Sequence, residues 1–507
     1  PSVRLPALGD AASEDFSVGT ERRIGEQIMA EVRRDPAYLD DPLLLDYVQS
    51  LWSPLVAAAR TRGNIGADLD TAFAWEAFLV RDRSVNAFAL PGGFVGVHLG
   101  LVAMTGTRDE LASVLAHELS HVTQRHIARG LASSSRQSVI GLAAILLGVL
   151  AASRANSADA AQAAIVGGQA AMAQGQLNFT RDMEREADRI GWSVFQDAGY
   201  AAQGMAMMFE RLDYANRLVD NGAYPYLRSH PLTVDRIGEA RARVDASPSG
   251  AKAAPRPALN HLLMQARARV LMDPTVQALR RAQAQETGAA GGGERIAALY
   301  ASALASFELR EFERTQAALD AALPLARSAA PEDARAQLAL LLTQAQVWRA
   351  VGQAPRALAA LDAWRTPPAE GMSRPLLLAR AQAAIDVARG GGGDALRPSV
   401  EALQTWVAEH KDDALAWSLL GQGAEQQGLK LRALRAQAEA QAASGDLPGA
   451  IDRLRAAQRQ ARPGGGATVD FVEASIIDAR LRDLLARRRA QIAEMRGGRG
   501  PSDERTP

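Results

Sequence analysis

From residue 258 to residue 496 the chain is composed largely of Ala, Leu, Arg and Gln, with almost nothing that favours a strand. Such residues are strong helix formers, so this half can bury apolar surface only by packing helix on helix. Glycine runs at 291–293, 390–393 and 464–466 interrupt it. Between them, the stretches 300–323, 334–364, 376–407 and 433–459 each read as helix, short turn, helix. The prediction for this half is a stack of helical hairpins.

The first half is different. Most of it also reads as helix, but 72–80 and 88–97 carry β-branched and aromatic residues around the turn Pro91-Gly92-Gly93, which predicts a small sheet. Residues 247–257 lack periodicity and are rich in turn formers. The expected organisation is therefore mainly α: a domain with a small β-sheet over 1–246, a linker over 247–257, a helical repeat domain over 258–496 and a disordered tail over 497–507.

Composition narrows the chemistry. Lys plus Arg and Asp plus Glu both number 57, so no global field draws the chain to nucleic acid or to an anionic membrane. The longest apolar run, 139–152, falls short of the roughly 20 residues that a spanning helix needs, so contact with a membrane would be peripheral at most. The small, apolar stretch 139–175 reads equally well as a mobile lid or a buried hairpin. Cysteine is absent, so a metal here would be held by His and carboxylate. The opening at Pro1, without a start Met or signal region, fits either a mature form trimmed of its signal or a cytosolic chain.

One motif carries chemistry. His117-Glu-Leu-Ser-His121 is an H-E-x-x-H pattern inside a helix predicted over 108–129, opened by a capping box from Thr107 to Glu110. At about 100° per residue the two histidines project from one face a turn apart, beside a core stripe of Leu111, Leu115, Leu119 and Val122. Glu118 lies between these faces, where a general base would stand. Catalytic zinc takes three protein ligands, and the best third is Glu184, on a helix begun near Thr180 and stopped at Gly199. Asp188, one turn on, suits the second N–H of a liganding histidine. Glu186 is the rival ligand, and otherwise part of a solvated charge pattern with Asp182. His126 falls about 140° round an unbroken helix from His121, outside the ligand face. His98, His261 and His410 have no supporting pattern.

The H-E-x-x-H helix with the downstream Glu-x-Glu-Ala-Asp helix resembles the gluzincin peptidases related to the CAAX prenyl endopeptidases. Within that group the chain is similar to the barrel-assembly proteases of Gram-negative bacteria. The likeness runs from Ile24 through Asn86-Ala-Phe-Ala-Leu-Pro-Gly-Gly-Phe94, His117-Glu-Leu-Ser-His-Val-Thr-Gln-Arg-His126 and Ser229-His-Pro-Leu-Thr-Val-Asp-Arg-Ile237 into the repeat half. The repeats themselves resemble degenerate tetratricopeptide repeats, although a plain helical bundle fits the same pattern.

The resemblance implies a periplasmic endopeptidase with one zinc per chain, mature after signal removal, acting on unfolded or misassembled outer-membrane proteins with a chaperone-like role in their assembly. It further implies contact with the barrel assembly machinery through the repeats. It makes His117, His121 and Glu184 zinc ligands and Glu118 the catalytic carboxylate. His230 becomes a histidine that caps the metal in a resting, latent state, and Arg236 an arginine near the oxyanion. Asn86, Ala87 and Phe88 become a strand on which an extended substrate adds by main-chain hydrogen bonds. Phe88 and Phe94 otherwise read as core residues of the sheet. The competing expectation is a non-proteolytic repeat scaffold with a structural zinc, against which Glu118 argues, since a structural site needs no base.

Overall fold

The computed structural model describes residues 17–132, 180–218, 224–247, 257–288, 291–365, 373–461 and 470–497. The candidate lid, nearly all of the expected linker and nearly all of the expected tail lie outside the described residues. The chain divides into two compact units, Pro1–Leu340 and Leu341–Pro507.

In the first unit α1 (Val18–Val32) starts at Ser17, whose hydroxyl accepts from Thr20 N. After β1 (Tyr38–Leu39), α2 (Pro42–Thr61) begins with proline in its first turn and Asp41 as its cap, 3.0 Å from Leu44 N. A short helix, α3 (Ala67–Ala72), takes the first residue of the expected strand and residues 73–75 follow as irregular chain, so β2 (Glu76–Val80) starts four residues late. It is followed by β3 (Ala87–Leu90) and β4 (Phe94–His98). Among the described residues they form one sheet in the order β1-β2-β4-β3, with β2 and β4 parallel and β3 antiparallel to β4. β3 is therefore an edge. Its turn needs glycine, because Gly92 and Gly93 have φ of +79° and +89° and a β-carbon on Gly93 would lie 2.8 Å from that of Phe73.

Next come α4 (Leu99–Met104) and α5 (Arg108–Thr123), the latter carrying the H-E-x-x-H motif. Every residue of α5 from Asp109 to Thr123 is buried, because α2, the sheet and two later helices surround it. Thr107 caps it as expected, accepting from Glu110 N at 3.2 Å, but Glu110 returns to Gly106 N at 2.7 Å rather than to the cap residue. The helix expected to reach residue 129 breaks after Thr123. Arg125 adopts φ +52°, and a new helix, α6 (His126–Ala132), starts in another direction. The break is held from outside, where Arg125 Nε donates to the buried Glu21 of α1 at 3.0 Å.

The remaining helices around the motif are α7 (Arg181–Asp197), α8 (Gln203–Leu218), α9 (Pro225–Ser229) and α10 (Val234–Ala246). Beyond the expected linker, α11 (Leu259–Met272) packs back on α2 and α4. Arg267 grips Asp41 with two hydrogen bonds of 2.8 and 2.6 Å, both side chains buried. His261 bridges the Tyr47 hydroxyl at 2.6 Å and the Thr105 carbonyl at 2.9 Å. Its Nε2–H therefore donates to Thr105, and Nδ1 accepts from Tyr47.

Burial pulls the His261 imidazole below its ordinary value, against the Thr105 carbonyl, which favours the charged form. The unfolded chain takes up this proton near pH ~6.5 and the folded chain only below that, so stability falls as pH drops from about 7 towards 5. His261→Gln should shrink the difference in thermal midpoint between pH 7 and pH 5. A slope equal to the parent's would remove His261 from the account.

The first unit also holds the hairpin α12 (Gly292–Glu308) and α13 (Phe312–Ala329). In the second unit α14 (Ala354–Ala363), α15 (Arg374–Arg389), α16 (Leu396–Glu409), α17 (Ala414–Gln426), α18 (Lys430–Ala443), α19 (Leu447–Ala461) and α20 (Phe471–Gly497) each pack on the next. Leu378, Ile385, Val400, Leu403, Trp417 and Leu420 form one core of this stack. The four hairpins expected from sequence are all helix, turn, helix.

Candidate metal centre

Two helices build the site. α7 begins at Thr180, whose hydroxyl accepts from Met183 N at 3.2 Å, and lies along α5. At the closest approach is Gly191, where a β-carbon would stand 3.0 Å from the Ala116 carbonyl oxygen and 3.3 Å from the His117 Cα. That approach sets Glu184 and Asp188, a turn apart on α7, against His117 and His121, a turn apart on α5.

His117, His121, Glu184 and His230 each offer one ligand atom, and these atoms lie within 4.8 Å of one another, all in buried side chains. His121 Nε2 is 3.0 Å from His117 Nε2, and His230 Nδ1 is 3.3 Å from His117 Nε2 and 2.9 Å from Glu184 Oε1. His117 Nδ1 faces Asp188 Oδ1 at 2.9 Å. A proton on Nδ1 for that carboxylate leaves a lone pair on Nε2, turned towards His121. Lone pairs this close repel unless a proton or a metal ion lies between them, and four ligand atoms converging from three histidines and a carboxylate fit a bound metal.

The charge balance agrees. Arg236 of α10 holds Asp188 with both arms, at 2.7 and 2.9 Å, and its third nitrogen reaches Glu184 Oε2 at 2.9 Å and the Pro231 carbonyl at 2.8 Å. Two buried carboxylates thus face one guanidinium. Against the penalty of burial, His230, His117 and His121 hold Glu184 well below the usual carboxylate range, while His117 and Arg236 do so for Asp188. His117 feels burial first, yet Asp188 and Glu184 prevail and push it up to about 10. His121, buried beside His117 and His230, is pulled far down.

Glu118 is fully buried and makes no close side-chain hydrogen bond, while the backbone N–H of Ala89 in β3 faces its carboxylate. His230 Nε2 approaches one of them at 3.4 Å. Burial raises the Glu118 carboxyl, with His230 and His117 opposing. A buried carboxyl with no close side-chain hydrogen bond, beside converging metal-ligand atoms, is suited to receive a proton from water.

His230 follows α9 and is 2% exposed, with the Tyr226 ring centroid 4.7 Å from its own. Arg236, read from the family likeness as an oxyanion neighbour, has its donors directed to Asp188, Glu184 and Pro231. Ala87 and Phe88 open the edge strand β3, which packs on α5, and Asn86 lies just before it. Phe88 packs edge-on against Phe78 and His98, and Phe94 is fully buried, as core residues of the sheet would be. Glu186 does not face the cluster: it hydrogen-bonds His126 at 3.0 Å and Arg129 at 2.9 Å. His126 itself, expected far round the helix, stands 2.8 Å from His121 Nδ1 because of the break at Arg125. Neither this contact nor that of Tyr226 was legible from spacing, which presumes an unbroken helix.

Residues 55–244 match the model of Peptidase family M48. The Escherichia coli (strain K12) protein named beta-barrel assembly-enhancing protease is 29% identical over 471 residues, 91% of this chain and 88% of its own length. A Vibrio cholerae relative is 38% identical over 241 residues, 48% of this chain, and the match spans about half of that relative's length, 47%. The mitochondrial metalloendopeptidase OMA1 of Schizosaccharomyces pombe is 31% identical over 239 residues, 46% of this chain and 64% of its own. No described helix is long and apolar enough to cross a membrane.

Proposed function

From a chain that carries a Peptidase M48 metalloendopeptidase domain, we propose a zinc-dependent endopeptidase, latent at rest, that works in the periplasm on outer-membrane barrel proteins during their assembly. The observation that carries the catalytic part is the convergence of His117, His121 and Glu184 beside the buried carboxyl of Glu118. His117, His121 and Glu184 would hold one zinc per chain, three ligands of the kind that suits this ion. Such an ion polarises a peptide carbonyl and acidifies water. Glu118 then takes the proton of the attacking water on its carboxylate and returns it to the nitrogen of the leaving amine. Asp188 fixes His117 in the Nδ1–H form, and Arg236 holds Asp188 and Glu184 in place. The edge strand β3 beside α5 supports the reading that a substrate binds as an added strand, through backbone groups and so with tolerance of sequence.

Barrel proteins as clients, the periplasmic location and the chaperone-like role rest on the likeness to the Escherichia coli relative. The helical hairpins, read as tetratricopeptide-like repeats, would present surface to clients and to the barrel assembly machinery. The test pairs metal content with casein cleavage. One zinc per chain with cleavage that Glu118→Gln abolishes supports the enzyme; stoichiometric zinc without cleavage by any variant favours a scaffold whose zinc is structural.

Latency follows from His230. Its contacts to Glu184, His117 and Glu118 support the reading that it fills the coordination position a water would need, so that the segment around α9 moves before turnover. His230→Ala should raise basal casein cleavage roughly tenfold, as for a closed arrangement favoured by about 1.4 kcal/mol. Unchanged cleavage with zinc still bound would sink the latch.

A further inference from the structure

We propose that His126 and Glu186 form a relay that fixes the tautomer and orientation of His121 and so sets the affinity of the site for its metal, a role built by the left-handed break at Arg125. His126 has two ring nitrogens, both engaged. Nε2 is 3.0 Å from Glu186 Oε2, and Nδ1 is 2.8 Å from His121 Nδ1. A carboxylate only accepts, so His126 Nε2 carries hydrogen and, in the neutral ring, Nδ1 offers a lone pair. That lone pair requires His121 to donate from its own Nδ1, which leaves His121 Nε2 with a lone pair, the atom facing His117 and Glu184. One chain of donors and acceptors thus leads from a partly exposed carboxylate to a ligand atom.

His117 is served in the same way by Asp188, but on a direct contact and with Arg236 behind it. For His121 the carboxylate is one imidazole further off, and Arg129 stands behind it at 2.9 Å. Geometry marks the arrangement as built. On an unbroken helix His126 would lie about 140° from His121. The φ of +52° at Arg125, unusual in a residue with a side chain, breaks the helix there, and the buried Glu21 holds that residue in place. His126 is itself fully buried. Outer partners of this kind commonly change metal affinity about 10–100-fold when lost.

The inference rests on the metal reading of the cluster, and the experiment separates the two. The full chain is stripped of metal, refilled with zinc and titrated against a chromophoric chelator, with thermal midpoints of the metal-free forms recorded alongside. His126→Phe fills the space without the acceptor, and His126→Gln can accept from His121 and donate to Glu186. The expected result is a zinc dissociation constant raised about 10–100-fold in His126→Phe and in part in Glu186→Ala, and restored to within a few-fold of the parent in His126→Gln. Parent-like affinity in His126→Phe, or equal weakening in His126→Gln, overturns the relay. If His126→Phe fails to fold, Glu186→Ala decides, and unchanged affinity there overturns it. A parent that binds no zinc would overturn the metal reading itself.

Discussion

Glu118→Gln should lower the rate of casein cleavage by about two to four orders of magnitude while leaving zinc content and thermal stability at or above the parent's. The size follows from the loss of a positioned proton acceptor. The fold should be retained because Gln matches Glu118 in shape and its amide oxygen can still accept from the Ala89 backbone. An uncharged amide of the same shape removes the desolvation that raises this carboxyl. Cleavage within a few-fold of the parent would show that Glu118 is not the base. Loss of zinc together with cleavage would show that it acts on the metal rather than on water.

Arg236→Met should cost about 3–5 kcal/mol in urea unfolding of the metal-free first unit, because it leaves Asp188 and Glu184 buried without their guanidinium. Arg236 is 4% exposed and spends its donors on both carboxylates and on Pro231, so no solvent or neighbour replaces it. Zinc should reduce the penalty, since a divalent cation supplies part of the missing charge. A variant as stable as the parent, or one equally destabilised with and without zinc, would contradict this reading of Arg236 as the balance of the cluster.

How far the sequence reached depended on whether local periodicity survived tertiary packing. The hairpins were legible because Ala, Leu and Arg at helical spacing have no competing state. The sheet was legible from its glycine turn and apolar strands, but β1 is two residues long and left no pattern. Glu184 and Asp188 were found because their separation of one turn mirrors that of His117 and His121, on helices that both ran as predicted through those positions. His126 and Glu186 were missed for the opposite reason. Their partnership depends on one residue, Arg125, leaving the helical region of backbone space, and what holds it there is Glu21, more than a hundred residues earlier. Arg236 was singled out only by the family likeness, as an oxyanion neighbour; its grip on Asp188 and Glu184 depends on the packing of α10 and left no local pattern.

The near-complete burial of the cluster affects any small molecule aimed at it. His117, His121, Glu184 and His230 are at most 2% exposed. On the latent reading proposed above, a chelating inhibitor would select whatever fraction of molecules has the α9 segment displaced, and its apparent dissociation constant would be its intrinsic one divided by that fraction. Slow-onset inhibition, faster in His230→Ala and independent of inhibitor concentration once saturating, is the kinetic signature such a gate imposes. A screen run on the resting protein would rank compounds by how they meet that opening as much as by how they grip the metal.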